Sequence, residues 1–197
     1  MSLTTQTLTN PPLGATIVGC KWIFRNKYNA DGSLQCHKAR LVAKGFHQQP
    51  GFDFNETFSP VIKPTTVRVI LSHAITSRWS IHQIDINNAF LQQAPSFVSS
   101  NPTQVCKLNK VIYGLKQAPR SWFQKLSSTL NNLGFSATKS DPSLFTKFTN
   151  NITIFILIYV DDIIITGSSS AAITHVISSL NKFFALKDLG SLHYFLA

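Results

Sequence analysis

Hydrophobic positions along this chain fall into two kinds of stretch: near-continuous β-branched runs and apolar residues at helical spacing. The densest runs, Ile152 to Tyr159 and Ile163 to Ile165, meet at Val160-Asp161-Asp162. Their length and composition predict a hairpin buried on both faces with its tip near Val160-Asp161. A tight tip prefers Asn-Gly or Asp-Gly, because its central residues take φ > 0; neither pair is present, so this tip is poorly suited to being only a turn. A second hairpin is predicted from Cys20 to Gly45, with strands Lys21–Tyr28 and Leu34–Lys44 about a turn at Asn29-Ala-Asp-Gly32. Helical spacing marks Val67, Ile70, Leu71, Ala74 and Ile75, with Thr65 as cap. It also marks Trp122, Phe123, Leu126, Leu130 and Leu133, with Pro119 in the first turn and Gly134 closing the helix. A third set, Ile173, Val176, Ile177, Leu180, Phe183 and Phe184, follows a cap at Ser170. Trp79–Asp85 alternates like a strand and ends on an acid, Leu144–Phe148 is a short strand, and Leu192–Leu196 is a final apolar run. Residues 1–18 are rich in Thr, Asn and Pro and are expected to be poorly ordered, and 92–104 form a polar connector.

With the short Leu144–Phe148 strand set aside, the order from Trp79 is strand, helix, strand, strand, helix, strand. This is the split βαβ, ferredoxin-like βαββαβ arrangement, one antiparallel sheet with two helices across a face. In that topology the first strand neighbours the central hairpin, so Asp85 lies beside Asp161 and Asp162. Adjacent carboxylates among so much apolar surface repel each other unless a cation neutralises them, which points to a divalent metal. Asp is also ordinary turn chemistry, and a bare Asp-Asp has that second reading. Three converging carboxylates would suit two ions about 3.5–4 Å apart, the arrangement that drives phosphoryl transfer.

Charge narrows the partner. Eighteen Lys and Arg against eight Asp and Glu give a formal charge of +10, spread along the chain, which favours a polyanion and nucleic acid above all. Lys21, Arg25, Lys27, Lys38, Arg40 and Lys44 share the first hairpin with the single Asp31. Such a ribbon is either a solvated strand pair carrying Lys against aggregation or a phosphate-gripping flap. Cys20, Cys36 and Cys106 have no C-x-x-C spacing and read as free thiols. The six histidines lack H-x-x-x-H spacing, which speaks against zinc. There is no secretory signal and no run long enough to span a membrane, so an intracellular protein without a membrane partner is expected, cytoplasmic or nuclear.

Several segments, in order, carry a family resemblance. These are Gly19-Cys-Lys-Trp22, Lys38-Ala-Arg-Leu-Val-Ala-Lys-Gly-Phe46, Glu56-Thr-Phe-Ser-Pro-Val61, Gln83-Ile-Asp-Ile-Asn-Asn-Ala-Phe-Leu91 and Val105-Cys-Lys-Leu108. Ile112-Tyr-Gly-Leu-Lys-Gln-Ala-Pro-Arg-Ser-Trp122, Tyr159-Val-Asp-Asp-Ile163 and Leu186-Lys-Asp-Leu-Gly190 follow. Together they resemble the reverse transcriptase of copia-type long-terminal-repeat retrotransposon polyproteins, from about residue 8 to the end. The resemblance implies an α+β fold: a fingers-like subdomain at 19–78 with its hairpin, and a palm-like subdomain at 79–197 built on the ferredoxin-like sheet. It implies that Asp85, Asp161 and Asp162 are catalytic and hold Mg²⁺ (or Mn²⁺) with the Ile86 carbonyl. Phe90 matches the residue under the sugar that excludes a 2′-hydroxyl, and it also reads as plain core packing. Arg40 and Lys27 match cations on the triphosphate, and Tyr113 stands where retroviral relatives carry a glutamine beside the incoming nucleotide. Lys38, Lys116, Arg120 and Lys125 are expected along the nucleic acid.

Relatives follow Asn-Ala-Phe-Leu with an acidic, aromatic stretch before a Gln-Pro-Pro-Gly-Phe element. Here Leu91 runs into Gln92-Gln-Ala-Pro-Ser-Phe97, as after an internal deletion. The expected reading is therefore a truncated fingers-plus-palm piece, weakly active or inactive, lacking the thumb, ribonuclease H, protease and integrase parts of such a polyprotein. Three functions remain open at this level. The first is an RNA-directed DNA polymerase acting on an RNA or DNA template with primer and deoxynucleoside triphosphates. The second is a non-catalytic relic that binds nucleic acid. The third is a metal-dependent nuclease, disfavoured by a single glutamate, Glu56, outside the expected site.

Overall fold

The computed structural model describes residues 6–11, 13, 14, 16–29, 31–86, 104–108, 112–149 and 151–192. Among them are ten strands and three α-helices. In chain order these are β1 Gln6–Thr9, β2 Cys20–Tyr28, β3 Leu34–Ala43, α1 Pro64–Thr76, β4 Ser80–Ile86, β5 Val105–Leu108 and α2 Ala118–Asn132. β6 Ser136–Ala137, β7 Leu144–Thr149, β8 Ile152–Tyr159, β9 Asp162–Gly167, α3 Ser170–Asn181 and β10 Leu186–Ser191 complete the set. The described residues thus form a mixed α and β structure in which every strand pair is antiparallel. Two compact units divide the chain: Met1–Phe58 with Phe90–Ser121, and Ser59–Ala89 with Trp122–Ala197.

In the first unit β2 and β3 form a two-stranded ribbon closed by hydrogen bonds from Asn29 N to Ser33 O (2.8 Å) and Gly32 N to Asn29 O (3.0 Å). The Asp31 carboxylate accepts from the Ser33 amide at 2.9 Å and hydroxyl at 2.6 Å, the local side-chain bonding that makes Asp a turn former. At the base of the ribbon, Ala43 N donates to Tyr113 O (2.7 Å) and Lys44 N to Gly19 O (2.7 Å). Gly114, at φ +91, fits there because a side chain would strike the Ala43 carbonyl, and Gly45 because one would strike the Gly114 carbonyl. β1 pairs with β5, so part of the 1–18 segment, expected to be poorly ordered, is a strand. Its partner lies about a hundred residues away, beyond the reach of a reading based on local composition.

The second unit is built on a sheet in the order β10-β4-β9-β8-β7-β6. Ile163, Ile164 and Ile165 are consecutive and all fully buried, so β9 is covered on both faces, as its unbroken apolar run requires. Across one face, Val67 and Ile70 of α1 and Ile62 just before it pack on Leu144, Leu157 and Ile164. On the other, Phe123 of α2 lies 6.4 Å from Phe145 of β7. Each fully buried isoleucine contributes about 1.5–3 kcal/mol, which makes the central strands the stable part of the unit. α2 ends as predicted: Phe135 N bonds Leu130 O (3.0 Å), Gly134 N bonds Asn131 O (2.9 Å), and Gly134 sits at φ +83. The Lys147 ammonium donates to the Leu133 carbonyl at 2.8 Å and satisfies another acceptor of that terminus.

Three details of the elements depart from expectation. Thr65 does not cap α1; Lys63 holds that position without a side-chain bond, and Pro64 opens the helix. The cap comes from Asp141, whose buried carboxylate accepts from Lys63 N (2.9 Å), Thr66 Oγ1 (2.7 Å) and Ser143 N (3.1 Å). α3 is capped one residue early, by Ser169, which accepts from Ala172 N at 3.3 Å, while Ser170 Oγ bonds Ser80 Oγ at 3.0 Å. The last strand among the described residues is Leu186–Ser191, and of the final apolar run Leu192–Leu196 only Leu192 is among them. Ile75 and Phe183, expected to face inward, are exposed. Phe90, the rest of the connector up to residue 103 and the apparent deletion lie outside the described residues.

Burial works against the charge of Asp141, yet the bonds from Lys63, Thr66 and Ser143 and the Lys63 ammonium outweigh it and hold the carboxyl below its ordinary 3.8. Replacing Asp141 with Ala leaves these donors unmet and is expected to cost about 3 kcal/mol, roughly 6–12 °C in Tm. Because the folded value is the lower one, this stability is complete above the ordinary carboxyl range and fades as pH falls through the folded value. The Tm gap between wild type and Asp141→Asn, followed by circular dichroism, should therefore narrow as pH drops below about 4.

Candidate functional site

Antiparallel pairing places residues that face each other across strands on the same side of the sheet. Lys187 of β10 is opposite Asp85 of β4, Asp85 is opposite Asp162 of β9, and Asp162 is opposite Tyr159 of β8. One row across four strands therefore reads Lys187, Asp85, Asp162, Tyr159, at the end of the sheet where the β8–β9 tip turns. Asp161 stands in that tip, and its carbonyl accepts from Ile86 N at 3.1 Å. The adjacency of Asp85 and the Asp161-Asp162 pair anticipated from strand order is present in the backbone register.

The tip itself is strained. Val160 takes φ +56, a conformation that a β-branched residue rarely adopts. Its carbonyl is held by the Trp122 indole N–H at 2.9 Å, and Trp122 is in turn buried against Phe184, with ring centroids 5.3 Å apart. With Ile86 on the next carbonyl, the two peptides of the turn are tied to α2 and to β4. Strain of this kind costs about 1–3 kcal/mol and persists where surrounding contacts over-determine it, typically at functional sites.

The Asp162 carboxylate feels the other two. The Asp162 carboxyl is pushed above its ordinary value by desolvation first and then by the charges of Asp161 and Asp85, while a hydrogen bond from Gln83 partly offsets this. Asp85, Asp161 and Asp162 are all half-buried. As the side chains stand, no group of three or more His, Cys, Asp or Glu among the described residues is spaced to hold a metal. The donor chemistry nevertheless suits a hard divalent cation: three oxygen donors whose mutual repulsion is already expressed in Asp162, with the Ile86 peptide adjoining them.

The ribbon of the first unit is two-faced, which linear reading did not reveal. Register puts Lys21, Arg25, Lys27, Lys38 and Arg40 on one face with Ile23, Cys36 and Val42. Trp22, Phe24 and Tyr28 lie on the other, 49%, 74% and 61% exposed, with Trp22 and Phe24 stacked at 6.3 Å. Arg25 and Lys38 are directly opposite, so two cations stand side by side on that face. The Arg40 guanidinium lies 5.4 Å from the Tyr113 ring centroid, so these two expected nucleotide residues meet within one unit. Gln48 fixes the segment that carries Tyr113: its buried side chain accepts from Lys116 N at 2.8 Å and donates to Gln117 Oε1 at 3.0 Å.

The other expected cations differ. Lys116 is exposed, whereas Lys125 sits 5.9 Å over the Phe184 ring. Arg120 forms an ion pair with Glu56 and donates to the Phe58 carbonyl at 3.3 Å, so its charge is largely matched inside the protein. Cys20, Cys36 and Cys106 are free and exposed, as expected. No helix among the described residues is long and apolar enough to cross a membrane. Gln83, Trp122 and Lys187 are the site residues that motif reading left without roles; only strand register and tertiary contact assign them.

Comparison with known proteins bears on this arrangement. Residues 3–197 match the family "Reverse transcriptase (RNA-dependent DNA polymerase)". The chain is 49% identical over 197 residues to the retrovirus-related Pol polyprotein from transposon RE2 of Arabidopsis thaliana, covering 94% of this chain and 14% of that protein. It is 42% identical over 198 residues to the corresponding polyprotein from transposon TNT 1-94 of Nicotiana tabacum, covering 94% and 15%. The Transposon Ty1-H Gag-Pol polyprotein of Saccharomyces cerevisiae is 28% identical over 186 residues, covering 87% and 10%. No solved structure is a significant match. The chain thus spans about a seventh of the length of its plant relatives, and over nearly all of its own length it belongs to the reverse transcriptase family of copia-type transposon Pol polyproteins.

Proposed function

We propose that this chain is an RNA-directed DNA polymerase domain that extends a primer 3′-hydroxyl with deoxynucleoside triphosphates on an RNA or DNA template. The observation that carries the reading is the register that sets Asp85 directly opposite Asp162 beside the Asp161 tip. Under this proposal Asp85, Asp161 and Asp162, with the Ile86 carbonyl, hold two Mg²⁺ ions. When bound, these ions lower the pKa of the attacking hydroxyl and neutralise charge on the triphosphate and leaving pyrophosphate. Gln83 orients Asp162, and Trp122 holds the tip that presents Asp161. The carboxylates' own work is to accept the ions and fix the attacking and leaving oxygens in line.

The fold part of the proposal is a palm at 79–197 and fingers at 19–78. Four strands, β4, β8, β9 and β10, with α2 and α3 between them in sequence, stand in the sheet order β10-β4-β9-β8, the order of a ferredoxin-like βαββαβ unit. The cationic face of the β2–β3 ribbon, with Lys27, Lys38 and Arg40, would take polyanionic phosphate, and Tyr113 beside Arg40 would lie near the incoming nucleotide. Phe90 would exclude a 2′-hydroxyl. Lys116 and Lys125 would add phosphate contacts, with Arg120 contributing less because Glu56 already matches it. A relic that binds nucleic acid without turnover is the second reading, favoured by the like-charge pair on the ribbon, which needs only an anion and no chemistry.

Extension of oligo(dT) on poly(rA) with Mg²⁺ is the deciding measurement. Asp85→Asn and Asp161→Asn should each lower it at least about a hundredfold, as lost transition-state charge stabilisation of several kcal/mol requires. Binding without extension in the wild type would leave the relic; cleavage of the primer–template without extension would mean a nuclease.

Asp162→Asn should separate stability from function. Since the folded Asp162 value is the higher one, its ionisation costs stability as pH rises through that value, and the cost is present in full at neutral pH. The variant should melt at a higher temperature than wild type in metal-free buffer at pH 7 while losing extension; an unchanged or lower Tm would mean the repulsion is relieved some other way.

Replacing Lys27, Lys38 and Arg40 together with Gln should weaken binding to single-stranded RNA and flatten the dependence of log K on log salt by about two units. The readout is fluorescence anisotropy across a salt series. An unchanged slope would remove the ribbon from the interface.

A further inference from the structure

The segment Leu186-Lys-Asp-Leu-Gly190 has no role in the reading above, yet it supplies the fourth residue of the row that contains the candidate metal site. Lys187 is paired with Asp85 on the side away from Asp162, so Asp85 has a cation at one flank and an anion at the other. Lys187 is exposed, and its place in the strand is fixed from both directions. Before it, Leu186 N donates to Asn181 Oδ1 at 3.3 Å, tying the strand to the end of α3. After it, Asp188 Oδ1 accepts from Gly190 N at 2.8 Å, with Gly190 at φ +76, in the bulge that interrupts the pairing before Ser191. Register on an edge strand is otherwise weakly specified; these two anchors keep Lys187 opposite Asp85.

We propose that Lys187 is a resident counter-cation of the Asp85–Asp162 pair and sets how readily that pair accepts a divalent ion. The inference rests on the metal-binding reading of these aspartates. Directly opposed carboxylates destabilise the strands that carry them, and a cation on the next strand offsets this without a metal. An ammonium on a flexible stem is suited to the task, because it can approach a carboxylate and withdraw from it while staying hydrated. The same charge opposes the arrival of a second cation. Lys187 therefore does two things of opposite sign: it stabilises the metal-free sheet and weakens its affinity for free divalent ion.

Mn²⁺ is the probe, titrated into the full chain and followed by the loss of the free-ion electron paramagnetic resonance signal. Lys187→Gln should bind Mn²⁺ about tenfold more tightly than wild type, the size expected for one unit charge a few ångströms away at partial exposure and moderate salt. Lys187→Arg should resemble wild type, and so should Lys182→Gln, which removes an exposed cation near the end of α3. In metal-free buffer Lys187→Gln should melt below wild type, and this loss should shrink in an Asp162→Asn background, where less repulsion remains to be offset. Equal or weaker Mn²⁺ binding by Lys187→Gln, in a wild type that does bind Mn²⁺, overturns the proposal and leaves the metal site standing. Binding by neither protein, or binding unaffected by Asp162→Asn, overturns the metal reading itself and the role of Lys187 with it.

Discussion

The hydrogen bond from the Trp122 indole to the Val160 carbonyl, at 2.9 Å, is the contact on which the rest of the site depends. A β-branched residue at φ +56 has easier conformations available, and a free β8–β9 tip would relax toward one of them. Relaxation would rotate the Val160–Asp161 peptide and carry Asp161 away from Ile86. Trp122 prevents this because its indole N–H is buried and would lose its partner. Its own position follows from α2, which is fixed at its far end by the Gly134 turn and the Lys147 ammonium. A helix terminus some twelve residues downstream thus contributes to where a carboxylate stands, through packing and not through contact.

The second dependency concerns charge. The chain has few acids, and those described fall into separate uses. Asp141 is buried and satisfied, and it serves as the cap that α1 lacks in its own sequence. Asp31 makes the turn of the cationic ribbon, and Asp188 makes the bulge within β10. Glu56 is spent on Arg120. Asp85, Asp161 and Asp162 are the ones brought together at one sheet end, and Asp162 shows the consequence in its raised carboxyl value, with desolvation first and the charges of Asp161 and Asp85 after it. A fold that gives its isolated acids such separate uses, and sets three others together at one sheet end, has concentrated its electrostatic cost at Asp162. This asymmetry supports a cation site better than the presence of the Asp-Asp dipeptide does, since a turn alone would explain the dipeptide.

Legibility in the sequence followed the range of the interaction responsible. The β8–β9 hairpin, the Cys20–Ala43 ribbon and the Gly134 helix end are readable because apolar period and turn chemistry determine them, and the distant pairing of β4 with the central hairpin is readable because the order of elements fits one sheet topology. Thr65 and Ser170 read as caps in the sequence, but an N-terminal signal fixes position only to a residue or so, and Asp141 reaches α1 from far along the chain. β1 was missed for the same reason: its strand character depends on β5. The segregation of the ribbon's cations from its aromatics was encoded in simple alternation, but counting cations along the segment concealed it. Arg120 reads as a free cation in sequence, and only the fold reveals its pairing with Glu56.

Register explains why the site can be specific while its surroundings vary in kind. Gln83 and Asp85 approach Asp162 from β4, and Lys187 of β10 stands beyond Asp85, so all three depend on those strands not slipping against β9. A slip of one residue would turn each to the opposite face, where Ile84 and Ile163 are fully buried. Burying Asp85 there without a partner would cost several kcal/mol, and exposing Ile84 in exchange would forfeit about 1.5–3 kcal/mol more. The apolar core therefore enforces the alignment of the charged row, and the carboxylates need contribute nothing to their own placement. That separation allows a site whose members repel one another to exist in a stable sheet before any cation arrives.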